Sequence, residues 1–353
     1  MSARSREVAI AAAALLGFAV APVVAQLPAV ADARIETAAG IAPRDALARH
    51  GRGDEPAWVA WSVPTVAGTG ELCCFDGFRD GAVRHRGCSL DGRDRGWGSH
   101  DDGRPGVGRP TEMLVFAEAG DRGVTRWLPV SPGCPVDGAG RRVVWLGAVA
   151  PAASLAALEA TVDGGDADAA ETAIAVAAHH ADAGADQLLE RIVLDRGRGE
   201  LREDALFWAG HLRGERGLAL IDRILANEPD RELREHALFA ATQSEAPGAL
   251  DRVRRAAVDD RDPEVRGQAL FWLAQSDDPG AGDWILGRLD AERDPEVREQ
   301  AVFALSQLDD GADQLLALLS RRDDPELVRQ AIFWLGQSDD PRALAKLEAL
   351  LAD

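Results

Sequence analysis

One phrase recurs through the second half of the chain and limits what that half can fold into. It reads Ala-Leu-Phe-Trp-Leu-Ala-Gln-Ser at 269–276 and Ala-Ile-Phe-Trp-Leu-Gly-Gln-Ser at 331–338, with weaker copies at 205–210, 237–240 and 301–307. Its phenylalanines, Phe207, Phe239, Phe271, Phe303 and Phe333, are spaced by 32, 32, 32 and 30 residues. One step earlier, Ala173-Ile174-Ala175-Val176 keeps the same register. A fixed period of this length signals a stacked array of supersecondary units.

Each unit reads as two helices. Asp262 is placed to cap the first, Pro263 to sit at its first position, and Glu264 suits the positive helix end. The opening recurs at Asp294-Pro295-Glu296-Val297-Arg298, at Asp324-Pro325-Glu326-Leu327 and, without proline, at Asp230-Arg231-Glu232-Leu233-Arg234. On a helical wheel Val265, Ala269, Trp272 and Leu273 share one face, which should bury against the second helix. That helix follows Asp277-Asp278-Pro279 and carries Trp284, Ile285 and Leu289; in the last unit it follows Asp339-Asp340-Pro341 and carries Leu344, Leu347, Leu350 and Leu351. A single pair cannot bury its apolar faces, so neighbours must stack into a solenoid.

This pattern resembles HEAT repeats, most closely the short bacterial type also found in phycobilin lyases. The resemblance covers 200–353 in five copies and 169–199 in degenerate form, so 151–353 reads as the solenoid with a cap over 151–199. It implies an array that works mainly by protein–protein contact, with the second helices lining the concave face. Trp284 and Arg288, with Asp313 and Lys346, would then grip an unknown protein partner. The lyase likeness implies an alternative, a lyase-like enzyme or tetrapyrrole carrier, against which a leader for export counts. The departure from the family pattern is Phe-Trp where such repeats more often carry a polar residue and alanine. The whole chain also resembles exported bacterial proteins that join a cysteine-bearing N-terminal region to such repeats.

The wheel places Phe271 roughly opposite Val265 and Leu273. The five phenylalanines therefore either pack sideways against the next repeat, as their presence in every copy favours, or form an exposed row open to a partner. Trp208, Trp272 and Trp334 read as core. The pairs Asp277/Asp278, Asp309/Asp310 and Asp339/Asp340 read as helix caps rather than a calcium ladder. His179, His180, His211 and His236 read as surface or filler residues, with the adjacent pair pointing apart.

The N-terminus reads differently. Arg4 and Arg6 precede an apolar run from Val8 to Ala25, and Val23-Val24-Ala25 offers small residues before Gln26. This predicts a signal peptide over 1–25, cleaved after Ala25, and an extracytoplasmic protein with no membrane insertion afterwards. Residues 26–150 read as a small β-rich domain of four or five strands. They are placed at Trp58–Val63, Leu72–Phe75, a hairpin of Glu112–Ala119 with Val124–Val130, and Arg142–Leu146. A short helix is expected over Asp45–His50 and a long surface loop over Asp76–Pro110. Ser154 is expected to cap a helix over Leu155–Val162. Arg52-Gly53-Asp54 reads as a chance tripeptide.

All four cysteines, Cys73, Cys74, Cys88 and Cys134, lie in this region. Behind a leader an even count predicts two disulfides. A Cys73–Cys74 bridge would be strained, so one of the two should pin Cys88 and the other the strand end at Cys134. Their spacing, with His85 and His100, matches no zinc ribbon, and no metal or cofactor is expected. Asp91, Asp94, Asp101 and Asp102 are a weaker calcium set in the loop.

The net charge is −20, and Lys346 is the only lysine. Nucleic acid and anionic membrane surfaces would be repelled. No nucleophile elbow, zinc-protease helix, phosphate loop or EF-hand is present, so no catalytic residue is assigned. Nothing in the sequence argues for an oligomer. The expected fold class is an α-solenoid preceded by a small β-rich, disulfide-bearing domain, and the expected function is that of an exported, non-enzymatic binding or scaffold protein.

Overall fold

A computed structural model describes residues 29–52, 57–79, 82–85, 87–93, 96–100, 110–164, 166–319, 324–338 and 342. The leader, Gly53 and Asp54, the loop aspartates Asp94, Asp101 and Asp102, the pair Asp339/Asp340 and the closing stretch with Lys346 lie outside the described residues, as do the side chains of His85 and His100.

The N-terminal region runs β1 (Val30–Ala31), β2 (Arg34–Thr37), α1 (Pro43–His50), β3 (Ala57–Pro64), β4 (Glu71–Arg79), β5 (Ala82–His85), β6 (Cys88–Ser89), β7 (Gly96–His100), β8 (Glu112–Gly120), β9 (Gly123–Val130), β10 (Val136–Asp137) and β11 (Arg142–Ala148). Its central sheet has the order β2-β11-β3-β8-β9. β8 and β9 form the expected hairpin, and β11 runs parallel to both β2 and β3. Two three-stranded sheets, β5-β4-β7 and β1-β10-β6, complete the region. The stretch expected as a loop over 76–110 thus supplies β5, β6 and β7; their glycines and arginines hid them, because β propensity is carried by β-branched and aromatic residues.

The pleat explains why β3 is buried on both faces. Val59, Trp61 and Val63 belong to a core shared with the helices, whereas Trp58 and Ala60 belong to a second core with all four cysteines. The first core is continuous: Val115, Trp127 and Val144 of the sheet join Leu158, Ile174 and Val176, and it runs on through every repeat.

The helices are α2 (Pro151–Gly164), α3 (Ala167–Ala178), α4 (Ala183–Leu194), α5 (Leu201–Leu212), α6 (Gly214–Asn227), α7 (Arg231–Thr242), α8 (Ala249–Asp259), α9 (Pro263–Ala274), α10 (Ala281–Leu289), α11 (Pro295–Ser306), α12 (Gly311–Leu318) and α13 (Pro325–Gln337). The first helices are α5, α7, α9, α11 and α13, each followed among the described residues by a second helix up to α12. Asp230, Asp262 and Asp294 accept from the backbone N–H two residues on, and Asp324 from that of Leu327. These caps are as expected. Ser154 is not one; it lies inside α2, fully buried. Asp278 does not cap α10 either: its Oδ1 accepts from Gly280 N at 2.9 Å in a turn, and Asp310 makes no side-chain cap to α12.

Successive first helices pack directly against one another, while successive second helices touch far less. The tighter, inner layer is therefore made by the first helices and not by the second ones. Gly210 shows the closeness: a Cβ there would meet the Ala240 carbonyl oxygen at 2.6 Å.

Candidate functional site

The repeated Phe-Trp pairs meet on the inner layer. From the sheet outward, the Trp97 ring stacks on Trp208 at 6.4 Å, and Trp208 lies 5.1 Å from Phe207. Phe207 stacks on Phe239 at 5.7 Å, Phe239 meets Trp272 at 4.8 Å, and Trp272 meets Phe271 at 5.2 Å. Phe271 stacks on Phe303 at 6.0 Å, Phe303 meets Trp334 at 5.0 Å, and Trp334 meets Phe333 at 5.0 Å. The result is one unbroken lane of rings across five repeats.

Both alternatives for the phenylalanines are realised together. Phe207, Phe239, Phe271 and Phe303 each pack on a ring of the next repeat yet stay partly exposed, and Phe333 is 57% exposed. Trp208, Trp272 and Trp334 are partly buried: each packs against the continuous core and also belongs to the lane. The wheel placed them toward the core but could not show that each ring also meets the lane, which depends on the neighbouring first helices. Trp284 and Arg288 sit elsewhere, on α10: Trp284 packs against the core and Arg288 lies one turn further on, and neither joins the lane.

Two polar rows flank the rings at helical spacing. Seven residues before each Phe stand Glu200, Glu232, Glu264, Glu296 and Glu326; four residues after stand His211, Gln243, Gln275, Gln307 and Gln337. Glu at this position suits the helix N-terminus, but the acidic edge is wider. Glu171, Glu203, Asp204, Glu235 and Glu299 extend it, and among the described residues Glu171, Asp204, Glu232, Glu296 and Glu299 have no cationic partner. Burial first, then Glu171, Glu203 and Glu200, push the Asp204 carboxyl up to about 6. Burial also raises Glu235. A pocket of about 440 Å³ lies along this edge between Glu235, Glu264, Gln268, Glu296 and Glu299.

The histidines are not surface residues at the head of the array. His179 and His180 are fully buried, and burial lowers both to about 4, so both are neutral. The His179 ring lies 5.3 Å from Trp208 and 6.0 Å from Trp97, supporting the lane from below. His180 closes a relay: Trp61 Nε1 donates to Ser154 Oγ at 2.9 Å, and Ser154 Oγ lies 2.8 Å from His180 Nε2. Further out, His211 stacks on Phe207, and its Nδ1 lies 3.1 Å from the Gln243 carbonyl oxygen. His236 Nδ1 lies 3.6 Å from Glu203.

An ordered feature escaped the sequence reading. Arg202, Arg234, Arg266 and Arg298 recur every 32 residues and pair with Glu228, Asp260, Glu292 and Asp324, which recur at the same interval. Arg234, 1% exposed, also donates to the carbonyl oxygens of Glu228 at 3.0 Å and Pro229 at 3.1 Å. The ladder staples each first helix to the turn that opens the next repeat. Its signal was present in the Asp-Pro-Glu-Val-Arg phrase, whose arginine invites a reading as solvated surface.

Cys73 pairs with Cys134 and Cys74 with Cys88, leaving no free cysteine among the described residues. Although the first partners are adjacent on β4, the bridges converge, with Cys88 Sγ 3.8 Å from Cys134 Sγ in the second core. Asp91 is held by Ser89 Oγ at 2.7 Å and by Arg93, within its own turn.

A family model for HEAT repeats matches residues 218–306 and 283–353. Among solved structures, human deoxyhypusine hydroxylase in complex with glycerol matches at 21% identity, over 57% of this chain and 78% of that one, with a TM-score of 0.24, a likeness too loose to carry a reading of function. No curated protein matches the chain. The repeat period, the capped helix pairs and the family match agree: the C-terminal region of this chain is an array of HEAT repeats preceded by a sheet-rich, disulfide-bonded region.

Proposed function

We propose that this is an exported, non-enzymatic binding protein that holds a basic segment of a partner polypeptide along its aromatic lane. The observation that carries the reading is the unbroken row of partly exposed rings between a carboxylate row and a glutamine row. Aromatic side chains supply contact area at low entropic cost and dominate binding energy where they cluster. Arginine or lysine from the partner would stack on the rings and meet the unpaired carboxylates. Glutamines on the far side are suited to pair with an extended backbone. Two buried disulfides support export, since such bridges persist in oxidising compartments. No helix among the described residues is long and apolar enough to cross a membrane.

The test is capture from an extract of the source organism. The full chain serves as bait beside a variant with Phe239, Phe271 and Phe303 changed to serine, its folding verified by circular dichroism. A partner held by the first and released by the second supports the lane as the site. A partner held equally by both overturns it. A visible absorbance band in the purified protein would instead favour the tetrapyrrole-carrier alternative.

A further inference from the structure

A second site lies where the sheet meets the cap. On α1 and its C-cap, Arg44, Leu47, Ala48 and Gly51 form one stripe; on α2, Ala157, Ala160, Thr161 and Gly164 form another at the same spacing. The two stripes face each other across a groove of about 290 Å³, closed at one end by the β8–β9 turn, Gly120 to Val124. That volume is near the lower end for small-molecule pockets, and junctions between structural units are where such pockets concentrate. The turn and α1 are held close: a Cβ on Gly51 would meet the Gly120 carbonyl oxygen at 2.4 Å.

The floor is apolar. Leu47, Val124 and Ala157 are each 9% exposed or less, and the Thr161 hydroxyl is turned to the Ala157 carbonyl oxygen at 3.3 Å. The rim is cationic, carrying Arg44, Arg52 and Arg122 against the single carboxylate of Asp121. In a chain of net charge −20, most arginine side chains among the described residues sit in ion pairs, as in the ladder of Arg202, Arg234, Arg266 and Arg298. Arg44, Arg52 and Arg122 have no such partner among the described residues. Helix ends do not account for them: Arg44 stands in the first turn of α1, where the dipole disfavours a cation, and Arg122 stands in a hairpin turn.

We infer that this groove binds a small amphiphile with one anionic head and an apolar body, the head held by Arg44, Arg52 and Arg122 and the body laid on Leu47, Val124 and Ala157. Guanidinium groups form charge-assisted hydrogen bonds to a carboxylate or phosphate head, and the floor removes the apolar body from water. The site is separate from the aromatic lane and does not rest on it.

The test is calorimetric titration of the full chain with decanoate, decanol and inorganic phosphate. Decanoate should bind saturably, one per chain, and decanol at least about tenfold more weakly, the loss expected for one charge-assisted contact. R44Q combined with R122Q should weaken decanoate by about the same factor or more. A160F, which fills the groove and keeps the arginines, should abolish binding while circular dichroism stays unchanged. Absence of saturable decanoate binding overturns the inference, as does binding unaffected by both variants. Phosphate displacing decanoate as effectively as decanoate itself also overturns it, since the arginines alone would then explain the binding.

Discussion

The rings of Phe271 and Phe303, one repeat apart, lie parallel within 2° and 6.0 Å between centroids. The contact is made between side chains that also face outward, so it serves stacking and display at once. Phe271→Ser should cost about 1–3 kcal/mol, less than the about 3–5 kcal/mol of truncating a fully buried phenylalanine, because the ring keeps part of its surface in water. Its neighbour Leu270, 2% exposed, is the contrast: Leu270→Ala should cost about 2–5 kcal/mol. Urea unfolding of the two variants measures both.

Arg234→Ala should be far more damaging than its chemistry suggests. It leaves Asp260, whose side chain is 5% exposed, as an unpaired buried charge beside the Pro229 carbonyl, while the Glu228 carbonyl keeps Arg261 at 2.8 Å. A loss of about 3–5 kcal/mol is expected. Arg329→Ala, at an exposed i,i+3 pair with Glu326, should cost less than about 1 kcal/mol. Chemical denaturation of the pair separates a structural ladder from surface pairing.

Ser154 joins the sheet to the repeats through Trp61 and His180. Ser154→Ala removes the oxygen both depend on, leaving a buried indole N–H and an imidazole nitrogen unsatisfied, at about 1–3 kcal/mol each. Because the first core is continuous, the loss should appear in sheet and helix signals together. Near- and far-ultraviolet circular dichroism, followed on one thermal ramp, checks this.

Acidification should destabilise the protein before most carboxylates titrate. His179 and His180 are held at about 4 in the fold against 6.5 when unfolded, so the unfolded chain binds more protons between those values. Stability is therefore complete above about pH 6.5 and is lost as pH falls toward about 4, at about 1.4 kcal/mol per unit for each histidine. Burial lowers His50 and His236 in the same sense. Asp204, raised to about 6, and Glu235, also raised by burial, act oppositely and should be removed by working in an Asp204→Asn, Glu235→Gln background. In that background the unfolding midpoint should fall between pH 7 and pH 5, and more steeply than in the same chain carrying His180→Gln.

The helical half was legible because its signals are local and repeated: Asp262, Pro263 and Glu264 specify a helix start without reference to anything distant, and the period supplies the stacking. The phenylalanine row was legible from the period, but not that Trp272 and Trp334 link it, since that depends on which neighbours flank each first helix. The arginine ladder was hidden for the same reason; Arg234 and Asp260 are 26 residues apart and meet only across the repeat boundary. The N-terminal region was read least well. β10 and β6 pair in parallel across a long sequence separation, which no local pattern encodes. The groove arginines were scattered through stretches that looked like solvated loop and helix end.

The most direct test of the binding account is fluorescence anisotropy of a short labelled peptide of alternating arginine and leucine, titrated with the full chain. The account predicts saturable binding that quenches tryptophan emission from Trp272 and Trp334, weakens with added salt, is absent for a glutamate–leucine peptide, and is lost when Phe239, Phe271 and Phe303 are changed to serine in a folded chain. No binding, or equal binding by that variant, would contradict it.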